Sequence, residues 1–297
     1  MRIAAQKYKK RQIFEGYTFM LPWLIGFLVF TVYPLLASIY YSFTSYNLVG
    51  NPPYVGLKNY FLIFLEDPDF YPCLLRTLRY VLLSIPIKLT SALFVALILN
   101  QKLRGIGIYR TIYYLPSLLG GSVAMSVTWK MVLSRTGFMN QFLGFFGLGP
   151  YSFLSSPDTA LATLAMITAW QFGSSMIIFL SGLKGIPENL YEAARIDGAK
   201  KHQQLLHITI PMLGPSLSFN LIMGIIGSFQ VFSLAYVTTE GGPVKSTYFY
   251  VLYLYNYAFS RFKMGYASAL AWILTILIVV CTALAYKITD RHIYYET

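Results

Sequence analysis

The residues best able to do chemistry crowd into one short run, 191-YEAARIDGAKKHQQLLHITIP-211, where Glu192, Arg195, Asp197, Lys200 and Lys201 fall within ten positions. Only 11% of the 297 residues are charged, so such density marks a place where the chain meets something polar. Acid–base or metal chemistry would need convergent acids, histidines or thiols. The chain has 11 acids and 3 histidines, and His202 and His207 stand five apart with no third ligand beside them. There is no G-x-x-x-x-G-K-[ST] phosphate loop, so the chain is not a self-contained ATPase. No catalytic or metal-ligating residue is assigned, and no cofactor is expected on this chain. A second candidate is Lys88, the one ionisable residue between Tyr80 and Gln101.

The elements that must position these residues are set by hydrophobicity. The chain is 56% hydrophobic and 17% aromatic, whereas about a quarter of the residues of a soluble domain are charged. Asp, Glu, Lys and Arg are absent from 16–57, 111–129, 159–183, 202–239 and 264–286. About 20 apolar residues at 1.5 Å each cross a hydrocarbon core of roughly 30 Å. The expected fold is all-α and integral to a membrane, with six transmembrane helices near 17–41, 80–100, 112–132, 159–182, 212–236 and 264–286.

Basic residues set the orientation. With the N-terminus inside, 14 of the 23 Lys and Arg fall on the cytoplasmic side, among them Lys7, Lys102, Arg104, Lys184, Lys200, Lys201 and Arg291. Eight, including Lys58, Arg76, Lys130 and Lys245, fall outside. The positive-inside rule therefore places both termini in the cytoplasm, and the net charge of +12 reads as topology rather than as a nucleic-acid surface. The first apolar run is too long for a signal peptide and lacks a small-residue cleavage site, so it is expected to remain as a span. Cys73 and Cys281 fall on opposite sides and imply no disulfide.

The expected organisation is a cytoplasmic segment 1–16, a first span with its outer loop over 17–72, a core of five spans over 73–290, and a cytoplasmic tail 291–297. In the outer loop, Asn59 to Leu65 reads as a short helix on the membrane surface. The apolar but Gly- and Pro-broken segment 134–158 reads as interfacial. No internal repeat is evident, which disfavours an inverted-repeat secondary transporter.

The charged connection, 184–211, reads as two short helices. Pro187 suits a first helical position, and Glu188 and Glu192 suit the positive end of the helix dipole. Ala193 and Ala194 keep the helix thin. Asp197-Gly198 breaks it, with Asp able to cap the second helix and Gly able to take a positive φ. The second helix carries Leu205, Leu206, Ile208 and Ile210 and is expected to end before Pro211. On residue physics alone this is either an amphipathic connector on lipid headgroups or a docking knob for a cytoplasmic partner.

The offsets Glu192-Ala193-Ala194, Gly198, Ile208 and Pro211 resemble the EAA loop of permease subunits in ATP-binding-cassette importers, with Ile210 in place of the usual Leu. The segments 56-GLKNY-60, 170-WQFGSSMIIFLSGLKGIP-187, 239-TEGGPVKST-247 and 265-GYASALAW-272 resemble carbohydrate permeases of the maltose and glycerol-phosphate type. The likeness covers nearly the whole chain, in the shorter six-span form without a very long outer loop.

That resemblance implies a MetI-like permease core in a bacterial inner membrane. Its implied partners are a second related permease forming a heterodimer, two ATP-binding subunits that hold ATP and Mg²⁺, and an extracytoplasmic solute-binding protein. Glu192, Ala193, Ala194, Asp197 and Gly198 become ATPase-coupling positions on a cytoplasmic coupling helix. The spans before the EAA loop and before Gly-Gly-Pro can line the sugar path, offering Thr168, Trp170, Gln171 and Ser175, with Ser228 and Gln230 opposite; each could equally hold helices together. Lys88 fits an acidic sugar such as a uronate, or a structural lysine with backbone carbonyls opened by Pro86. Tyr40, Tyr41, Tyr113, Tyr114, Tyr248, Tyr250 and Tyr253 read as interfacial belts. A secondary transporter and a permease for a glycerol-phosphate-type substrate remain the rivals.

Overall fold

The structure is a computed structural model that describes residues 16–101 and 105–290. The segments 1–15 and 291–297, and Lys102 and Arg104 with their topological charges, lie outside the described residues. Among the described residues the chain is helical, with one isolated bridge between Thr44 and Tyr54 in place of strands.

The described residues divide into two compact units, one within 16–67 and 256–273 and one within 68–255 and 274–290. The first unit holds α1 (Gly16–Ser42), a continuous apolar helix. It also holds α2 (58–66), on the expected Asn59–Leu65 segment. Asn59 is buried and donates to the carbonyls of Ser42 and Thr44 at 2.8 and 2.9 Å, closing off the end of α1. Asp67 accepts the hydroxyls of Tyr257 and Tyr266 at 2.7 and 2.6 Å, and these two rings stack at 4.4 Å.

The second unit is organised by α3 (Phe70–Leu99), which packs against α7 (Pro157–Trp170), α8 (Gly173–Gly185) and α11 (Gly214–Phe229). Its core gathers Tyr80, Leu164, Ala165, Ile167, Ala235 and Phe249. The remaining helices are α4 (Ile106–Leu119), α5 (Val123–Val132), α6 (Phe138–Gly144), α9 (Glu188–Ile196), α10 (Lys201–Met212), α12 (Ser233–Thr238) and α13 (250–260). The long α14 (Met264–Asp290) begins in the first unit and ends in the second.

Among the described residues three helices, α1, α3 and α14, are long and apolar enough to cross a membrane, and up to five spans result if each bent pair counts as one. The pairs are α7 with α8, bent by 48°, and α10 with α11, bent by 65°. The expected span at 112–132 is two helices, because Gly120-Gly121 interrupts it and Ser122 starts the next, its hydroxyl accepting from Met125 N–H at 3.2 Å. The expected span at 212–236 likewise stops at Phe229. Tyr250 and Tyr253 are 0% and 1% exposed, so these two belong to the core and not to an interfacial belt.

Candidate functional site

Three helix breaks meet at one cavity. They lie at 120–122 between α4 and α5, at Gln171-Phe172 between α7 and α8, and at Gln230–Phe232 between α11 and α12. The cavity holds about 220 Å³ and is lined by Gly120, Gly121, Thr168, Gln171, Gln230 and Phe232 among others. Tyr80 closes one side, its hydroxyl 2.6 Å from Thr168 Oγ1. Gln171 Nε2 donates to the Gly120 carbonyl at 3.0 Å, tying two breaks together. A Cβ at Gly120 would overlap the Gln171 side chain, so glycine there lets Gln171 lie against this break. Non-helical backbone at membrane depth is tolerated where it lines such a cavity. The wall offers amides, hydroxyls and the rings of Tyr80 and Phe232, with no Asp, Glu, Lys, Arg or His among its lining residues. It suits a polar, uncharged surface.

Phe232 also belongs to a triangle of rings with Tyr236 and Tyr255, at centroid separations of 5.3, 4.9 and 5.5 Å. This places an aromatic cluster at the rim, the kind of surface on which apolar faces of sugar rings stack.

The charged run folds into the expected two helices. α9 ends in a Schellman motif: Ala199 N–H bonds to the Ala194 carbonyl at 2.8 Å and Gly198 N–H to the Arg195 carbonyl at 3.1 Å. Gly198 takes φ +77, which the αL position of that motif demands. Asp197 does not cap α10 as expected; Gln203 Oε1 accepts from Lys200 N–H at 2.7 Å instead. Nor does α10 end before Pro211. A π-helical turn at Leu205–Thr209 shifts the bonding, so the missing proline N–H is absorbed and the helix runs to Met212. Glu192, Ala193, Asp197 and Gly198 are exposed and Ala194 is half-buried. Tyr191 pins α9 to α10 through a 2.9 Å contact with Thr209 Oγ1. Between the helices lies a groove of about 410 Å³ that includes Ala194, Asp197, Gly198 and His207.

Of the path residues read from sequence, Thr168, Gln171 and Gln230 converge on the cavity. The others lie elsewhere. Trp170 packs edge-on against Trp129 at 5.3 Å. Ser175 is buried, its carbonyl accepting from Asn220 Nδ2 at 3.4 Å. Ser228 is buried 3.3 Å from Ser84 Oγ. Lys88 is half-buried on α3, off the cavity wall. α3 continues through Pro86, whose missing N–H cannot bond the Leu82 carbonyl, while the Pro86 carbonyl accepts from Thr90 Oγ1 at 2.7 Å. Sequence reasoning missed Tyr80, Gly120, Gly121 and Phe232. The Gly-Gly-Ser triplet at 120–122 was a legible break signal; nothing marked Tyr80.

Residues 73–294 match the family model described as "Binding-protein-dependent transport system inner membrane component". The probable ABC transporter permease protein YesP of Bacillus subtilis (strain 168) is 44% identical across 95% of this chain and 92% of its own length. The trehalose/maltose transport system permease protein MalF of Thermococcus litoralis is 32% identical across 96% of each. A solved bacterial alginate ABC transporter, in complex with an alginate pentasaccharide-bound periplasmic protein, superposes with a TM-score of 0.82 over 96% of both chains at 22% identity, which speaks to the fold alone. The chain belongs to the family of binding-protein-dependent transport system inner membrane components.

Proposed function

We propose that this chain is one of two related permeases in a heteromeric ATP-binding-cassette importer for a sugar or oligosaccharide. In this reading it crosses a bacterial inner membrane six times, with both termini and the 184–211 connection in the cytoplasm. The cavity is this chain's half of the sugar path. Its volume of about 220 Å³ falls below the roughly 300–1,000 Å³ of complete small-molecule sites, as expected if a second permease supplies the rest. A solute-binding protein delivers the sugar, and two ATPases bind ATP and Mg²⁺ and drive the cycle.

The observation that carries the reading is the linkage between the exposed connection and the cavity. The helix entering the connection, α8, starts beside Gln171; the helix leaving it, α11, ends beside Gln230. With 13 and 16 residues they act as levers of roughly 20 and 24 Å at 1.5 Å per residue. Displacement of α9 by an ATPase would therefore be felt at two of the three breaks. Glu192 supplies a polar contact, Ala193 and Ala194 permit close approach, and Gly198 holds the reversal.

The test is substrate-stimulated ATP hydrolysis by the complex co-expressed with its partner chains. Gly198→Pro cannot adopt φ +77, and Glu192→Lys reverses the docking charge. Both should uncouple hydrolysis from sugar while leaving the permease folded. Normal coupling in both variants would sink the docking role, and gradient-driven transport by this chain without an ATPase would favour a secondary transporter.

A further inference from the structure

Lys88 is unexplained by the cavity, yet it lies on the ridge that leads away from it. Tyr80, Ser84 and Lys88 follow at i, i+4 and i+8 along α3, so they lie along one ridge of that helix. Tyr80 closes the cavity, and Ser84 faces Ser228 on α11 at 3.3 Å. Lys88 comes one further turn along, roughly 12 Å from Tyr80 at 1.5 Å per residue. On the α11 side of this ridge, Gly224 approaches no closer than 3.7 Å from its Cβ position to Ile85, and nothing stands within 4 Å of the Cβ position of Gly227.

A cation at that depth is expensive unless it meets an anion or a water-filled path. All 11 acids of the chain lie outside the apolar runs, and on α3 itself there is none. The acid preceding that helix, Asp69, is 19 residues from Lys88 and engaged by Lys245 at 2.7 Å. Among the described residues Lys88 has no hydrogen-bond or ion-pair partner. With an uncharged cavity ahead of it and no counter-ion among the described residues of this chain, Lys88 is matched by an anionic group that travels with the substrate, which on a saccharide is a carboxylate.

Resting on the reading of the chain as a saccharide permease, we propose that Lys88 is a substrate contact that meets the carboxylate of a uronic-acid-containing oligosaccharide as it leaves the cavity. The neutral hydroxyls and ring faces of the sugar are read by Gln171, Gln230, Thr168 and Phe232, and its acid group by Lys88. The importer would then prefer acidic saccharides although its central wall carries no charge.

The test uses the full complex of this chain, the partner permease, the ATPases and the binding protein in proteoliposomes. Uptake is measured for trisaccharides of galacturonate, glucuronate, mannuronate and guluronate, and for each in its carboxyl-reduced, neutral form. Wild type should move at least one acidic trisaccharide ten times faster than its reduced counterpart. Lys88→Gln should abolish that preference by slowing the acid alone, and Lys88→Arg should keep it. Uptake of neutral forms only, or an equal loss of both forms in Lys88→Gln, overturns the role of Lys88 while leaving the saccharide permease intact. A complex that moves no saccharide of either kind, with binding-protein-stimulated ATP hydrolysis intact, overturns the saccharide reading itself and the role of Lys88 with it.

Discussion

Gly120→Ala tests whether the helix breaks form one site. A Cβ at residue 120 would overlap Cγ and Cδ of Gln171 and come 2.5 Å from its Oε1. The glutamine side chain must swing away, and its 3.0 Å bond to the Gly120 carbonyl goes with it. Leaving a part-buried carbonyl without its amide costs about 1–3 kcal/mol. If about 2 kcal/mol of that is felt in the bound state, affinity falls roughly 30-fold, since about 1.4 kcal/mol is a factor of ten. The assay is ATP-driven uptake of the importer's own saccharide by the reconstituted complex. KM should rise about 10- to 30-fold with kcat little changed. Gln171→Ala loses the same bond without the clash and should raise KM less. The double variant should resemble Gln171→Ala, because the new methyl then meets no amide. Additive effects of the two substitutions, or an unchanged KM in Gly120→Ala, would refute the claim that Gln171 is pinned against the first break.

Other substitutions probe the frame. Tyr80→Phe removes the 2.6 Å bond to Thr168 and should cost about 1 kcal/mol in thermal unfolding, with a several-fold rise in KM. Gly173→Ala would put a Cβ 2.5 Å from the Tyr113 carbonyl and 2.8 Å from Tyr114 Cα. Backbone cannot step aside as a glutamine can, so α4 and α8 must separate at a cost of about 1–3 kcal/mol, read as lowered melting temperature in detergent. Asn140 donates to the Ser134 and Tyr151 carbonyls at 3.1 and 2.9 Å and accepts from Tyr151 N–H at 2.8 Å. Asn140→Leu strands all three and should destabilise the 134–151 segment by about 2–3 kcal/mol, seen as faster proteolysis there. Asp69→Asn should change stability by less than about 1 kcal/mol in the same melting assay, because its ion pair with Lys245 is half exposed.

Helical class, apolar segments and the charged connection were all legible in the sequence, because each is written in local composition. Residues 184–211 show how far that goes. The spacing predicted two helices and a reversal at Gly198, and both are present. The cap and the end were misassigned, since Gln203 competes successfully with Asp197 and a π turn accommodates Pro211. The cavity was half legible. Thr168, Gln171 and Gln230 stand out as polar residues in oily runs, but so do Ser175, which is buried away from the cavity, and Ser228, whose hydroxyl meets Ser84 on a neighbouring helix. Hydropathy cannot separate the two groups, because both face inward and differ only in which neighbour arrives. Tyr80 was invisible for the same reason: its role depends on Thr168, 88 positions away.

The breaks themselves arise from a constraint that hydropathy counting ignores. A window of apolar residues predicts a continuous span, and Gly120-Gly121, Gln171 and Gln230 lie inside such windows at 112–132, 159–182 and 212–236. In hydrocarbon each interrupted backbone bond costs several kcal/mol unless another group replaces it. Here the second break serves the first, as Gln171 supplies the amide that the Gly120 carbonyl requires. That bond makes the first break depend on the second. A movement carried along α8 to Gln171 cannot relax locally, because it also withdraws the amide from Gly120. In the proposed importer, the same bond that satisfies the Gly120 carbonyl would therefore give the charged connection a mechanical hold on the cavity wall.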